Sequence, residues 1–245
     1  MKSVVISQSN YIPWIGFFRL LNSCNEYIIL DDVQFTRRDW RNRNIIRVSN
    51  EKKWLTIPLE NKGQYKKARI LEMKISDPDW STKHYKLISS AYKTADFWPE
   101  TAQVLIKLYK KASCFIQLTD INRLFLEEMC RLLQINCKIS ISTDYYSLQE
   151  LDRFNPSERL SSLARASGSS IYLSGPAAKS YLDLKIFKQV NIKVKYANYE
   201  RISGEPAKIS DYFNTHSIVD TLAHFGLQQT NEILQKHKLC LDIAK

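Results

Sequence analysis

Short apolar runs bounded by polar turns alternate along this chain with longer stretches in which apolar positions recur every three to four residues. "SVVIS" (3–7) reads as a strand that runs into a turn carrying Gln8, Asn10, Tyr11, Pro13 and Trp14. The chain leaves that turn through Gly16 into the helical stretch "IGFFRLL". "EYIILDD" is a second short strand ending in paired acids. "NIIRVS" and "KWLTIP" read as two more, the last ending at a proline that a central strand would not carry in its middle. "ARILEMKIS" (68–76) alternates with a period of two, which predicts a half-buried strand. From Asp79 to about Gln134 the period lengthens, and three helices are expected, with Asp120 as the N-cap of the third.

Alternation of strand and helix then resumes. "KISIS" is followed by the helix "PSERLSSLARASG", the strand "SIYLSG", the helix "AAKSYLDLKIFKQVN" and the strand "IKVKYANYE". Two helical pieces, "SIVDTLAHFG" and "QQTNEILQKHKLC", come last. Such alternation predicts an α/β fold, a mixed and largely parallel sheet covered by helices, with a helical insertion near residues 79–137. No repeat or low-complexity tract divides the 245 residues, so one domain over 1–245 is expected.

Composition narrows the functional classes. The opening "MKSVVISQSN" is too short and too polar for a signal peptide, and no stretch approaches the roughly 20 apolar residues of a membrane span. A cytoplasmic location is the expectation. Five cysteines without a C-x-x-C pair argue against a disulfide framework and a zinc site, and His216, His224 and His237 have no partners at metal spacing, so no metal is expected. A formal net charge of +11 favours anionic partners: phosphates, nucleotides, acidic proteins or membrane surfaces. Nucleic-acid binding is disfavoured, because no recognisable module is present and the arginines are local.

Two polar runs follow strand ends, where open α/β sheets bind ligands. The first is the turn at Gln8, Tyr11 and Trp14. The second, "DDVQFTRRDWRNRNIIR" (31–47), sets Asp31, Asp32 and Gln34 ahead of Arg37, Arg38, Arg41, Arg43 and Arg47, with Trp40 among them. Planar guanidinium groups suit phosphate or carboxylate, and Trp40 could stack on a ring. Phosphate-loop, dinucleotide and serine-elbow motifs are missing. His84, beside Trp80 on an expected amphipathic helix, is a further candidate.

Taken together, "QSNYIPWIG", "DDVQF", "RNRNII", "LTIP", His84 in "KHYKL", "YLSG" at 172–175 and "SIVDTLAHFG" at 217–226 resemble the WbqC-like family from residue 6 to about 226. Ser9 stands where that family generally has proline, which loosens the turn's backbone. The resemblance implies bacterial surface polysaccharide (lipopolysaccharide O-antigen) biosynthesis and an amide-forming acyl or aminoacyl transfer, for example of glycine, to the amine of a nucleotide-linked amino sugar. The alternative is a non-catalytic sugar-nucleotide-binding protein of the same pathway. The donor is an acyl or aminoacyl group, on an acidic carrier protein or tRNA. His84 or Asp32 is the expected base, and Gln8, Tyr11, Trp14, Gln34, Arg41 and Arg43 are expected to bind substrate in one pocket. Tyr172, Ser174 and Gly175 are expected as another wall of it. The strand and turn layout is also similar to pantothenate synthetase, but Trp14 and Phe17 stand where that family has phosphate-binding histidines, which argues against ATP as a cofactor.

Overall fold

A computed structural model describes residues 1–49, 51–60, 68–202 and 216–244. Its main sheet is built from β1 (Ser3–Ser7), β2 (Glu26–Ile29), β5 (Lys138–Ile141), β6 (Ile171–Ser174), β7 (Lys193–Ile202) and β8 (Leu239–Ile243), and β3 (Arg43–Val48) and β4 (Glu51–Thr56) form a separate hairpin. The order is β5-β2-β1-β6-β7-β8, with every pair parallel except β7 and β8. The fold is thus α/β, with a mixed, mostly parallel sheet between helices.

Both faces are covered, which explains why β1 and β2 read as unbroken apolar runs rather than alternating ones. Val5, Tyr27, Ile29 and Leu173 pack into the larger core, together with α1 (Ile15–Asn22), α2 (Trp80–Tyr92), α3 (Trp98–Ala112), α4 (Leu118–Leu132) and α8 (Ile218–Lys236). Their neighbours Val4, Ile6, Ile28, Leu30 and Tyr172 point the other way, toward α5 (Leu148–Arg153), α6 (Pro156–Ala166) and α7 (Leu184–Gln189).

Several sequence expectations are corrected. Residues 68–76 are not a strand: Ile70–Glu72 form one short 3-10 turn, and single bridges join Arg69 to Gln34, Lys74 to Gln117 and Ile75 to Leu59. Each end of the segment meets a different neighbour, so no ladder forms. Helix α4 begins at Leu118, so Asp120 lies in its first turn and is not the cap. The stretch 177–191 is split into a 3-10 turn within Pro176–Ser180 and α7, whose N-cap Asp183 accepts from the Lys185 amide. The two terminal helical pieces are one kinked helix with Gly226 at φ 69, and "LC" belongs to strand β8.

Candidate functional site

The carboxyl ends of β1 and β6 open onto a cavity of about 840 Å³. Strand order reverses here, since β2 follows β1 to one side and β6 lies on the other. Gln8 and Trp14 line it from the first turn, Arg41 from the arginine run, and Tyr172, Ser174 and Gly175 from the end of β6. Asn10, Trp40, Phe154, Arg159, Tyr181 and Tyr199 line it as well.

The first turn is pinned from several sides. Ser9 donates its amide N–H to Asp31 Oδ1 (2.8 Å) and its hydroxyl to Asp31 Oδ2 (2.7 Å), and accepts from Asn122 Nδ2 (2.9 Å). The expected looseness at Ser9 is therefore corrected, because a proline could supply neither donor. Burial pushes the Asp31 carboxyl up, against the bonds from Thr119 and Ser9 that favour its charge. Ile12 sits at φ 37, an unfavourable region for a β-branched residue. Its carbonyl accepts from Asn44 Nδ2 (2.9 Å) and from the hydroxyl of Ser217 (2.8 Å), which also caps α8. The "SIVD" motif thus braces the turn from behind. Trp14 folds back over α1: a Cβ on Gly16 would lie 2.2 Å from the indole, so this close approach requires glycine.

Arg41 donates from one guanidinium nitrogen to the carbonyls of Gln8 and Ser9 (both 3.2 Å) and to Asn10 Oδ1. Arg159, which sequence reasoning missed, lines the same cavity. Asn155 caps α6 through the amides of Ser157 and Glu158, Pro156 fills its first turn, and Glu158 bonds back to the Asn155 amide at 2.9 Å. That capping box places Arg159 one residue later. Its Nε and Nη2 donate to Leu151 O (3.1 and 2.6 Å), and its Nη1 lies 3.3 Å from Asp32 Oδ2. "NPSE" was the legible signal for this helix start.

The other expected residues stand elsewhere. Asp32 is buried, accepts from Ser142 Oγ (2.5 Å) and pairs with Arg159, so it reaches the cavity only through that guanidinium. His84 lies in the larger core and not on the cavity wall. Its Nε2 is 3.1 Å from Thr56 O, and a carbonyl can only accept, so Nε2 carries the proton. Nδ1 then accepts from the Tyr11 hydroxyl (2.9 Å), and Tyr11 accepts from Tyr109 (2.5 Å). Burial holds His84 down at about 4, with the bond to Thr56 acting against it. Both ring nitrogens are occupied, and a free proton-accepting nitrogen at His84 is not present in this geometry. Tyr11 is fully buried beneath the turn, with its hydroxyl pushed upward mainly by burial. Gln34 is exposed beside Arg69. Arg43 lines a separate cavity of about 230 Å³ with Arg37 and Arg38, and its guanidinium carbon lies 4.0 Å over the Trp54 ring.

Among the described residues the cavity wall therefore carries two guanidinium groups, several aromatic faces and no carboxylate or imidazole. Guanidinium groups beside aromatic faces have the chemistry to pair with an anion and to pack against a ring. Among the described residues no helix is long and apolar enough to cross a membrane.

The WbqC-like protein family model matches residues 8–232. The chain is also 34% identical, over 228 residues, to the uncharacterized protein Rv1507c of Mycobacterium tuberculosis; the alignment takes in 93% of this chain and 96% of that one. No solved structure matches. The match over 8–232 spans both polar turns, the arginine run, α6 and the "SIVD" brace, and the chain belongs to the WbqC-like protein family.

Proposed function

We propose that the protein forms an amide on the amine of a nucleotide-linked amino sugar, taking an acyl or aminoacyl group such as glycyl, in surface polysaccharide synthesis. The observation that carries this reading is the cavity at the β1 and β6 ends, where Arg41 and Arg159 lie among aromatic rings; Asp39 and Asp32 pair with them from behind, and no carboxylate lines the wall itself among the described residues. A diphosphate suits the guanidinium pair, and sugar faces suit Trp14, Tyr181 and Tyr199. The neutral amine attacks the acyl carbon; the C–N bond forms as the bond to the donor's leaving group breaks. The leaving group keeps the electron pair, and the ammonium proton passes to it or to water. Asp32 acts by holding Arg159, and His84 by holding Tyr11 under the turn. Both are positioning residues in this reading. The +11 charge suits an acidic carrier protein or tRNA as the source of the acyl group.

A second reading, a sugar-nucleotide-binding protein without turnover, is favoured by one observation: no imidazole or carboxylate lines the cavity among the described residues. Incubating the protein with nucleotide-linked amino sugars and activated acyl donors, followed by mass spectrometry, separates the two. The amide product supports transfer. Saturable sugar-nucleotide binding with no product over the whole donor set favours the second reading, and neither binding nor product refutes both.

A further inference from the structure

A smaller cavity of about 210 Å³ adjoins the main one through shared Asn10, Trp14 and Trp40. Pro13, Asn44, Ile45 and Lys52 complete it. Its aromatic wall is built in layers. Trp54, which lines neither cavity, backs Trp40 with ring centroids 5.4 Å apart and planes at 35°, and the Arg43 guanidinium covers Trp54 in turn. Trp40 is 42% exposed, yet its backbone is fixed: its carbonyl accepts from the Tyr11 amide at 3.0 Å and its own amide donates to Asp39 at 2.7 Å. A braced indole with an open face is a stacking platform for a flat ring.

The polar lining sets what ring fits. Asn44 is spent: its amide nitrogen donates to the carbonyls of Tyr11 and Ile12, and its oxygen accepts from the Ile45 amide. Asn10 turns its Oδ1 to Arg41, which can only donate, so the Asn10 side chain presents its NH₂ group. Lys52 adds a second donor. Neither side chain offers an acceptor, so a ring with two carbonyl oxygens matches both donors better than one in which an exocyclic amine replaces a carbonyl.

We propose that this smaller cavity is a nucleobase subsite for a diketo pyrimidine, uracil or thymine, stacked on Trp40 with a ring carbonyl accepting from Asn10. The inference rests on the sugar-nucleotide reading and names the nucleotide. Arg41 bonds Asn10 at the junction of the two cavities, which sets the diphosphate between the base and the sugar. Cytosine and adenine keep ring acceptors for one of the two donors, but bring an exocyclic amine where uracil and thymine have a second carbonyl for the other.

Isothermal titration with UDP, TDP, CDP, ADP and inorganic pyrophosphate tests this on the full chain. The expected result is UDP or TDP binding at least about tenfold more tightly than CDP, ADP or pyrophosphate. Trp40→Ala weakens UDP and TDP by roughly 5-fold to 150-fold and leaves pyrophosphate unchanged. Asn10→Asp keeps the acceptor for Arg41 but removes the donor, so it abolishes the preference over CDP. A melting temperature within a few degrees of wild type shows that each variant is folded. Equal affinity for all five ligands, a purine preference, or an unchanged preference in both variants overturns the base subsite. An amino sugar 1-phosphate that is acylated while no nucleotide binds overturns it too, yet leaves amide transfer standing. Tight UDP or TDP binding without any amide product supports the subsite and refutes transfer.

Discussion

Replacing His84 by Leu removes one buried and one half-buried hydrogen bond at once. Thr56 O loses its donor and the Tyr11 hydroxyl loses its acceptor, in a core position only 7% exposed. Leaving a buried group unpaired costs about 1–3 kcal/mol and a half-buried one less, so roughly 2–4 kcal/mol is expected, or a melting temperature lower by roughly 4–16 °C for a chain of this size. The pH dependence is more diagnostic. Burial lowers the folded His84 to about 4 from an ordinary 6.5, so its protonation favours the unfolded chain. The stabilisation is complete above about pH 6.5 and is lost as pH falls toward 4, by roughly 2–3 kcal/mol at pH 4.5. Thermal unfolding of both proteins followed by circular dichroism between pH 7.5 and 4.5 isolates this, because other titrating groups cancel in the difference. The gap between wild type and variant should narrow as pH falls. A gap that stays constant, or widens, refutes the buried neutral imidazole. In His84→Asn, turnover by folded protein at neutral pH should change by less than about tenfold, and a loss of 10²-fold to 10⁴-fold would restore His84 as the base.

Ser9→Pro strips Asp31 of two donors and should lower the urea midpoint by an amount worth about 2–5 kcal/mol; an unchanged midpoint contradicts the bracing role of Ser9. Gly16→Ala forces the Trp14 indole off α1, so tryptophan emission and near-ultraviolet dichroism should change although alanine is the better helix former, and identical spectra refute the close approach. Burial opposes the charge on Glu26, but Lys2, Ser140, Tyr145 and Lys138 hold it down at about 2 from 4.5. Its stabilisation is complete above about pH 4.5 and is lost as pH falls toward 2. Glu26→Gln should flatten acid unfolding over that window, and equal slopes would show the cluster contributes nothing.

The sheet and the two turns were legible because their apolar runs are short, uninterrupted and followed by polar clusters. The arginine run was legible as chemistry but not as geometry. Arg41, still in the turn before β3, faces the main cavity, while Arg43, the first residue of β3, serves Trp54, so the boundary between turn and strand separates what sequence proximity joins. Residues 68–76 alternate in sequence like a strand, but the buried Ile70 and Met73 are three residues apart across a 3-10 turn, and the pattern carries no record of a pairing partner. His84 was the histidine most expected to titrate, but burial and its two bonds could not be read from a helical pattern that leaves its facing neighbours, Tyr11 and Thr56, unspecified. Arg159 hid for the converse reason: its capping box was readable, while Asp32, which anchors it, lies more than a hundred residues earlier.

The meeting of β1 with β6 has a consequence for biosynthesis. Strand β1 can pair with β2 as soon as both leave the ribosome, but the cavity has no second wall until residues 171–175 have emerged and β6 has docked beside β1. A chain stopped before that point holds the first turn and the arginine run and still has no complete site. Contacts this distant in sequence form late, because the intervening loop must first be closed. In the reading proposed above, the full affinity for a ligand that spans the main cavity therefore waits for that late step, and such a molecule would also fasten the two halves of the chain together.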